Sequence, residues 1–485
     1  MSTHTTQPAA KTAFPKPRGK DIHGVPGVVL AGQPKERVLF IPASIRSHVI
    51  PTLYIAELLA DEYDVFYAVT SPVLADIVSE NGFTPVTAST LRVAIGMEPR
   101  YLASQQRRAG LWPTIRAVCA NELYWQRKQE LDELLARIKP AVVIIDIFSS
   151  TDFLALYHHR ATVRLLFCNP MPSTYRVGSL PVVSEASWPA APPPPRPPAK
   201  LNWRNALRNP RAELYQGALR YQLMKLKQLV GLAAEHQLID TPFARLFANV
   251  PELILAPAEF ELSPAVRQPQ QHYLGLSIRE TRTDTELDAE FARQWPGLLA
   301  RRRAGQRLIY CSFGTFYTGS NKALLDFVTN LLEAIGTVPD VQLVCSVNNL
   351  VVETLRARHA ALPNVHFFRR VPQLTVLKSA DVHITHGGLG SVKESIHYGV
   401  PMLVYPLDAH YDQPGNGLKV EHHGLGLRGD FQWERAANLK AKLLRLLDDA
   451  AFRANVARFR HACAARYADD EVRNTLRELL TIATP

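Results

Sequence analysis

The chain has 485 residues, 47% of them hydrophobic and 20% charged, with a formal net charge of +11. At roughly 100–200 residues per domain, this length predicts two large domains or three small ones, and the composition excludes a chain without a core. No apolar run reaches the ~18–20 residues that span a bilayer. The positive charge suits a phosphate-bearing ligand or an anionic surface and names neither.

Residues 1–35 are rich in Thr, Pro, Lys and Gly and read as a disordered leader. Their apolar patch, around Val28–Ala31, is too short for a signal-peptide core, so a cytoplasmic location is the default expectation. Short apolar runs then alternate with helical periodicity. Arg37–Pro42, Tyr63–Val69, Ala141–Phe148 and Arg164–Cys168 read as buried strands. Thr52–Asp61, Val73–Asn81 and Asn121–Ile138 read as helices between them. This alternation predicts right-handed crossovers and a parallel sheet covered on both faces. The pattern breaks at a polyproline stretch, residues 188–198, expected to be a stiff surface loop. The helical segment Ala212–Ala234 carries Arg220, Lys225 and Lys227 on one side. It reads as a solvated helix, with an acceptor cover or a membrane contact as the alternatives.

A second alternating series gives strands Arg307–Phe313, Val341–Val347, Asn364–Phe368, Asp381–Thr385, Pro401–Tyr405 and Gly424–Arg428. The expected organisation is α/β: an N-terminal domain over 36–265, a linker over 266–306 and a C-terminal domain over 307–485, whose last helix returns to the first domain. Ligands in such sheets bind outside the carboxyl ends of the strands, so two domains face to face predict one cleft. The cysteines Cys119, Cys168, Cys311, Cys345 and Cys463 have no C-x-x-C spacing and are expected to be reduced and buried.

The most informative stretch runs from Arg370-Val-Pro-Gln through Asp381-Val-His-Ile-Thr-His-Gly-Gly-Leu-Gly-Ser-Val-Lys-Glu to Asp412-Gln413. A strand ends at Thr385 and a helix opens near Gly388, where backbone amides lack partners and the dipole favours an anion. Gly387, Gly388 and Gly390 allow close backbone approach. His386 and Ser391 add donors for a diphosphate, and Glu394 offers an acceptor to a ribose hydroxyl. A G-G-x-G alone is a tight turn, and it is the ordered whole that carries information.

That whole resembles the signature of the family-1 glycosyltransferases, which include plant secondary-product and bacterial macrolide enzymes. The resemblance covers about residues 36–470 and implies the GT-B arrangement, two Rossmann-like domains with the donor held by the second. It implies that Gln373 lies near the nucleoside and that the Val371 backbone meets the base edge. It places His386, Ser391 and Thr315 at the diphosphate, Glu394 at the ribose, and Asp412 with Gln413 on the sugar hydroxyls. Arg370 stands where many plant members have Trp, and Gly390 where many have Asn. A guanidinium still stacks on a base.

In the first half, His48 lies in the loop after a strand's carboxyl end. Ser47-His-Val-Ile-Pro51 is similar to the family's Gly-His-x-x-Pro element, with Ser for Gly. The resemblance makes His48 a general base, whose ordinary pKa near ~6.5 suits the task. Asp146 ends an apolar strand and is the candidate carboxylate behind it, with a strand-end cap as the other reading. Phe148, Trp112 and Trp125 are candidates for an apolar acceptor pocket, with Tyr124 beside them. Asp284-Thr-Glu286 and Asp288-Ala-Glu290 follow no strand and read as surface charge, so no metal and no cofactor are expected. The expected partners are a UDP-sugar (UDP-glucose first, dTDP-rhamnose or another dTDP-sugar second) and a small apolar or phenolic acceptor. No nucleic acid is expected, and the protein is a monomer or homodimer. The alternatives are a peripheral membrane enzyme acting on a lipid or carotenoid, and a catalytically silent nucleotide-sugar binder.

Overall fold

Strands such as Val-Leu-Phe-Ile and Val-Val-Ile-Ile are apolar at successive positions, and both faces must therefore be covered. The computed structural model describes residues 35–90, 98–108, 110–189, 209–241, 243–265, 267–313, 321–347, 351–359 and 362–481. In the first domain, β1 (Glu36–Ile41), β2 (Tyr63–Val69), β3 (Thr84–Thr87), β4 (Val142–Asp146) and β5 (Arg164–Asn169) form a parallel sheet. A short antiparallel hairpin, β6 (Leu238–Asp240) and β7 (Arg245–Phe247), leads to β8 (Glu252–Ile254) and β9 (Gln271–Tyr273), which complete that sheet. Its strand order is β3-β2-β1-β4-β5-β8-β9.

The second sheet is built from β10 (Arg307–Ser312), β11 (Val341–Ser346), β12 (Val365–Phe368), β13 (Val382–Thr385), β14 (Met402–Val404) and β15 (Gly426–Arg428), all parallel. The order is β12-β11-β10-β13-β14-β15. In each sheet the winding reverses between the first strand and the strand on its other side, β1 with β4 and β10 with β13. A crevice opens at each such switch point, beyond the carboxyl ends of the strands.

The stretch 266–306 contributes an element to each domain. β9 closes the first sheet, while the helix Ala289–Arg303 buries Phe291 and Leu298 against Leu308, Tyr310 and Phe368 of the second. Only residues 274–288 run between these elements. The last helix, Asp469–Leu480, buries Val472, Leu476 and Leu480 in the core of the first sheet. Tyr54 donates to its Asp469 at 2.7 Å, and Arg473 donates to the Leu58 carbonyl at 2.6 Å.

Two expectations change. Cys168, Cys311, Cys345 and Cys463 are buried, but Cys119 is exposed. It ends the helix Leu111–Cys119 on the side away from the buried Thr114, Ala117 and Val118. The acidic pairs after residue 283 are not simply surface charge. Asp288 caps the helix Ala289–Arg303 through the Glu290 amide and pairs with Arg356 at 2.7 Å. Asp284 turns into the interdomain cleft toward Arg282, 3.0 Å away. Their partners come from tertiary packing, which the local acidic pattern cannot show. The leader up to residue 34, the polyproline residues from 190 on and Thr315 lie outside the described residues.

Candidate active site

The loop after β1 folds into a short helix, Arg46–Val49, that carries His48 with only 5% of its surface exposed. β4 ends at Asp146, which is 2% exposed. The switch point therefore brings the two side chains together, and His48 Nδ1 lies 2.7 Å from Asp146 Oδ2. The other oxygen, Oδ1, accepts from the Phe148 amide at 2.8 Å. A carboxylate only accepts, so beside it a neutral imidazole carries its proton on Nδ1 and presents a lone pair at Nε2. Phe148 packs on the imidazole with ring centroids 4.6 Å apart. Asp146 is thus both a cap and the partner of His48.

In the second domain, β13 delivers His386 to a turn that opens the helix Leu389–Tyr398. Gly387 has φ +83°, and a Cβ there would come within 2.7 Å of Val404. At Gly388, a Cβ would lie 2.5 Å from His386 Nε2, so the ring covers this glycine closely. Gly390 faces open space. Burial pushes the His386 imidazole down to about 4, and it is neutral at pH 7. Its Nδ1 has no hydrogen-bond partner among the described residues. A neutral donor and the amides at the helix N-terminus can stabilise an anion here.

Gln373 is held from both ends. Its Oε1 accepts from Tyr310 at 3.2 Å and Ser312 at 3.4 Å, and its Nε2 donates to Ser391 at 3.2 Å and Glu394 at 2.6 Å. Glu394 accepts from Arg282 on its other oxygen. Each carboxylate oxygen keeps further lone pairs, which a ribose hydroxyl can use. Gln413 turns its Oε1 to the Leu407 and Asp408 amides, 2.8 and 3.1 Å away, leaving its amide nitrogen to donate. Asp412 accepts from Asn416 at 2.7 Å. Burial raises its carboxyl above the ordinary value, with the Asn416 bond and the facing His48 acting in the opposite sense.

Both half-sites line one cavity of about 520 Å³. That volume falls in the range of about 300–1,000 Å³ typical of ligand clefts. His48 and Phe148 enter it from the first domain, and Arg370, Val371, Gln373, His386, Gly388, Gly390, Ser391, Glu394, Asp412 and Gln413 from the second. Trp112 and Trp125 do not line it. They are 69% and 49% exposed, on helices whose buried faces point elsewhere, and Tyr124 is in the core. The aromatic residue that does face Phe148 is Tyr411, 6.5 Å away across the cleft.

Several site residues carry no sequence signal. Arg46 reaches Thr285 at 3.1 Å and pairs with Glu286, and Glu286 also lies 3.9 Å from Arg370. Arg282 bridges Asp284 and Glu394. Lys393 is fully buried and donates to the Leu255 carbonyl at 2.6 Å, fastening the helix Leu389–Tyr398 to the first domain. Burial pushes its ammonium down to about 7.

A family model described as the C-terminal domain of erythromycin biosynthesis protein CIII-like proteins matches residues 330–479. The structure of the glycotransferase of kitacinnamycin superposes with a TM-score of 0.62 at 20% identity, covering 92% of this chain and 99% of that one. The fold is GT-B, and residues 330–479 are similar to the CIII-like C-terminal domain. Mouse UDP-glucuronosyltransferase 3A2 is 32% identical over 93 residues, 19% of this chain and 17% of the mouse protein. Zeaxanthin glucosyltransferase of Pantoea ananas is 32% identical over 110 residues, 23% of this chain and 24% of that enzyme. The alignments thus span under a quarter of these relatives' lengths. They relate this GT-B chain to the family-1 glycosyltransferases. Among the described residues, no helix is long and apolar enough to cross a membrane.

Proposed function

We propose that the chain is an inverting glycosyltransferase that moves a hexose from a nucleotide diphosphate sugar to a hydroxyl of a small apolar or phenolic acceptor. The observation that carries this reading is the His48–Asp146 pair, 2.7 Å apart, in the same cavity as the His386–Ser391 turn. His48 Nε2 takes the acceptor's hydroxyl proton as the oxygen attacks the anomeric carbon. The bond from that carbon to the diphosphate oxygen breaks, and its electron pair leaves with the nucleotide. Asp146 stabilises the imidazolium that forms, the role of the carboxylate in a triad. The acceptor side is apolar and aromatic, with Phe148, Tyr411, Ile50 and Met171 at the cavity wall. UDP-glucose is the first donor to test and dTDP-rhamnose the second. A screen of UDP- and dTDP-sugars against flavonoids, terpenoids, macrolides and lipids, read by mass, tests the proposal. A hexose-sized gain on a hydroxylated acceptor supports it, and donor binding without transfer to any acceptor favours a silent sensor.

Asp412 and Gln413 are the proposed contacts to the sugar hydroxyls. A site built to bond a hydroxyl discriminates strongly when that bond is lost. Asp412→Ala should therefore weaken nucleotide-sugar binding much more than binding of free UDP or dTDP. Calorimetry showing equal losses for both ligands would remove Asp412 from this role.

The leaving diphosphate gathers negative charge that a divalent ion neutralises in many transferases. Here that charge meets the amides of the Gly387–Ser391 turn, His386 and Ser391, as preorganised donors. The acidic cleft residues Glu394 and Asp284 are already paired with Arg282. Transfer should persist in excess EDTA and change only modestly with Mn²⁺. Loss of activity in EDTA and its return with Mn²⁺ would overturn this account of the leaving group.

A further inference from the structure

A second cluster of chemistry-bearing side chains lies outside the cleft. Asp132 is on the helix Glu122–Ile138, one turn beyond Lys128. His158 and His159 lie in the short turn Tyr157–His159, which follows the helix Asp152–Leu156 and precedes β5. The chain passes from the carboxyl end of β4, where Asp146 sits, through this helix to the amino end of β5. The cluster is therefore at the edge of the sheet opposite the cleft.

The three side chains converge. His159 Nε2 is 2.9 Å and His158 Nε2 3.2 Å from Asp132 Oδ1, and the three ligand atoms all lie within 4.8 Å of one another. A tetrahedral zinc ion with bonds of about 2.0–2.1 Å separates its ligands by roughly 3.3 Å, close to these spacings. The Lys128 ammonium, 2.5 Å from Asp132 Oδ2 and 3.1 Å from His158 Nε2, marks the point where the lone pairs meet. It is a positive charge on a flexible stem, and such a side chain is readily displaced.

We propose that Asp132, His158 and His159 form a site for one divalent transition-metal ion of the zinc type, separate from the catalytic cleft. Two imidazoles and one carboxylate match the borderline preference of such ions. Bound metal ties the helix Glu122–Ile138 to the turn before β5, and it stabilises the first domain because the unfolded chain does not hold the three ligands together.

The test is calorimetric titration of ZnCl₂ into untagged, EDTA-stripped full-length protein, with a thermal scan of the same samples. The expected result is one ion per chain and a higher Tm with zinc. Asp132→Asn and His159→Gln should each weaken binding by more than about tenfold, the cost of losing even a supporting contact. Lys128→Met should tighten it, since the competing ammonium is gone. His422 and His423 are adjacent on another surface, with ring centroids 5.0 Å apart, and the double glutamine variant there serves as control. Zinc binding that survives both Asp132→Asn and His159→Gln, disappears in the His422/His423 control, or is absent from the wild-type chain would overturn the proposal. Weaker binding in Lys128→Met would overturn it as well.

Discussion

His48→Ala should lower turnover by about 10²–10⁴-fold, the usual contribution of a positioned general base. Affinity for UDP or dTDP should stay close to wild type, because the proposed donor contacts belong to the other domain. The side chain has a single chemical use in this geometry. Its Nδ1 is committed to Asp146, and the ring is fixed from the side by Phe148. Asp146→Asn keeps the shape, but it replaces an acceptor-only group with an amide that can hold the imidazole in the wrong tautomer. It should slow turnover too. The double variant should be little slower than His48→Ala alone, since residues that act as one unit are non-additive. Single-turnover rates at saturating donor check this. A folded His48→Ala protein with near-normal turnover would remove His48 from catalysis.

Asp152→Ala should be the most damaging substitution for stability outside the cleft. Arg127 is 1% exposed and Asp152 0% exposed, and the guanidinium meets the carboxylate through bonds of 3.1, 3.2 and 2.6 Å. Removing one partner of a buried pair leaves a charge without water or counterion, at a cost of about 3–5 kcal/mol. Glu130, 2.8 Å from Arg127, places the expected loss at the lower end. Replacing both members by apolar residues, Arg127→Met with Asp152→Leu, should cost less than Asp152→Ala alone, because no fully buried charge is then stranded and Glu130 keeps access to solvent. Thermal scans that resolve the first domain's transition measure this. A double variant less stable than Asp152→Ala would show that packing, rather than charge burial, dominates there.

Most strands were legible as short, largely apolar runs that alternate with segments of helical period. β8 and β9 were not legible. They are three residues each and carry Glu252 and Gln271, both buried. These polar groups are tolerated inside because Asn169 donates to Glu252 at 2.8 Å and Gln271 donates to it at 3.2 Å. Burial raises the Glu252 carboxyl to about 7. A pattern of apolar residues cannot reveal a strand stabilised that way.

The candidate site divides along the same physical line. His386, Gly387, Gly388, Ser391 and Glu394 fall within one strand–turn–helix unit, so spacing along the chain already places them together. His48 and Asp146 were readable because each follows its own strand to the same sheet edge. Arg46 with Glu286, and Arg282 with Glu394, are contacts across 240 and 112 residues, and nothing local to either arginine marks them. Trp112 and Trp125 misdirect for a related reason. Aromatic type alone does not say which face of a helix meets the cleft, and theirs meets solvent.

The proposed reaction is a single displacement assisted by His48, and the stereochemistry of the product reports whether it occurs. Once the screen has identified a donor and acceptor, the glycoside should be isolated and its anomeric configuration assigned by NMR. An α-linked nucleotide sugar should give only the β-glycoside, and no glycosyl-protein adduct should appear in the mass spectrum of the quenched enzyme. A product that retains the donor's anomeric configuration, or a sugar covalently held by the chain, would contradict this mechanism.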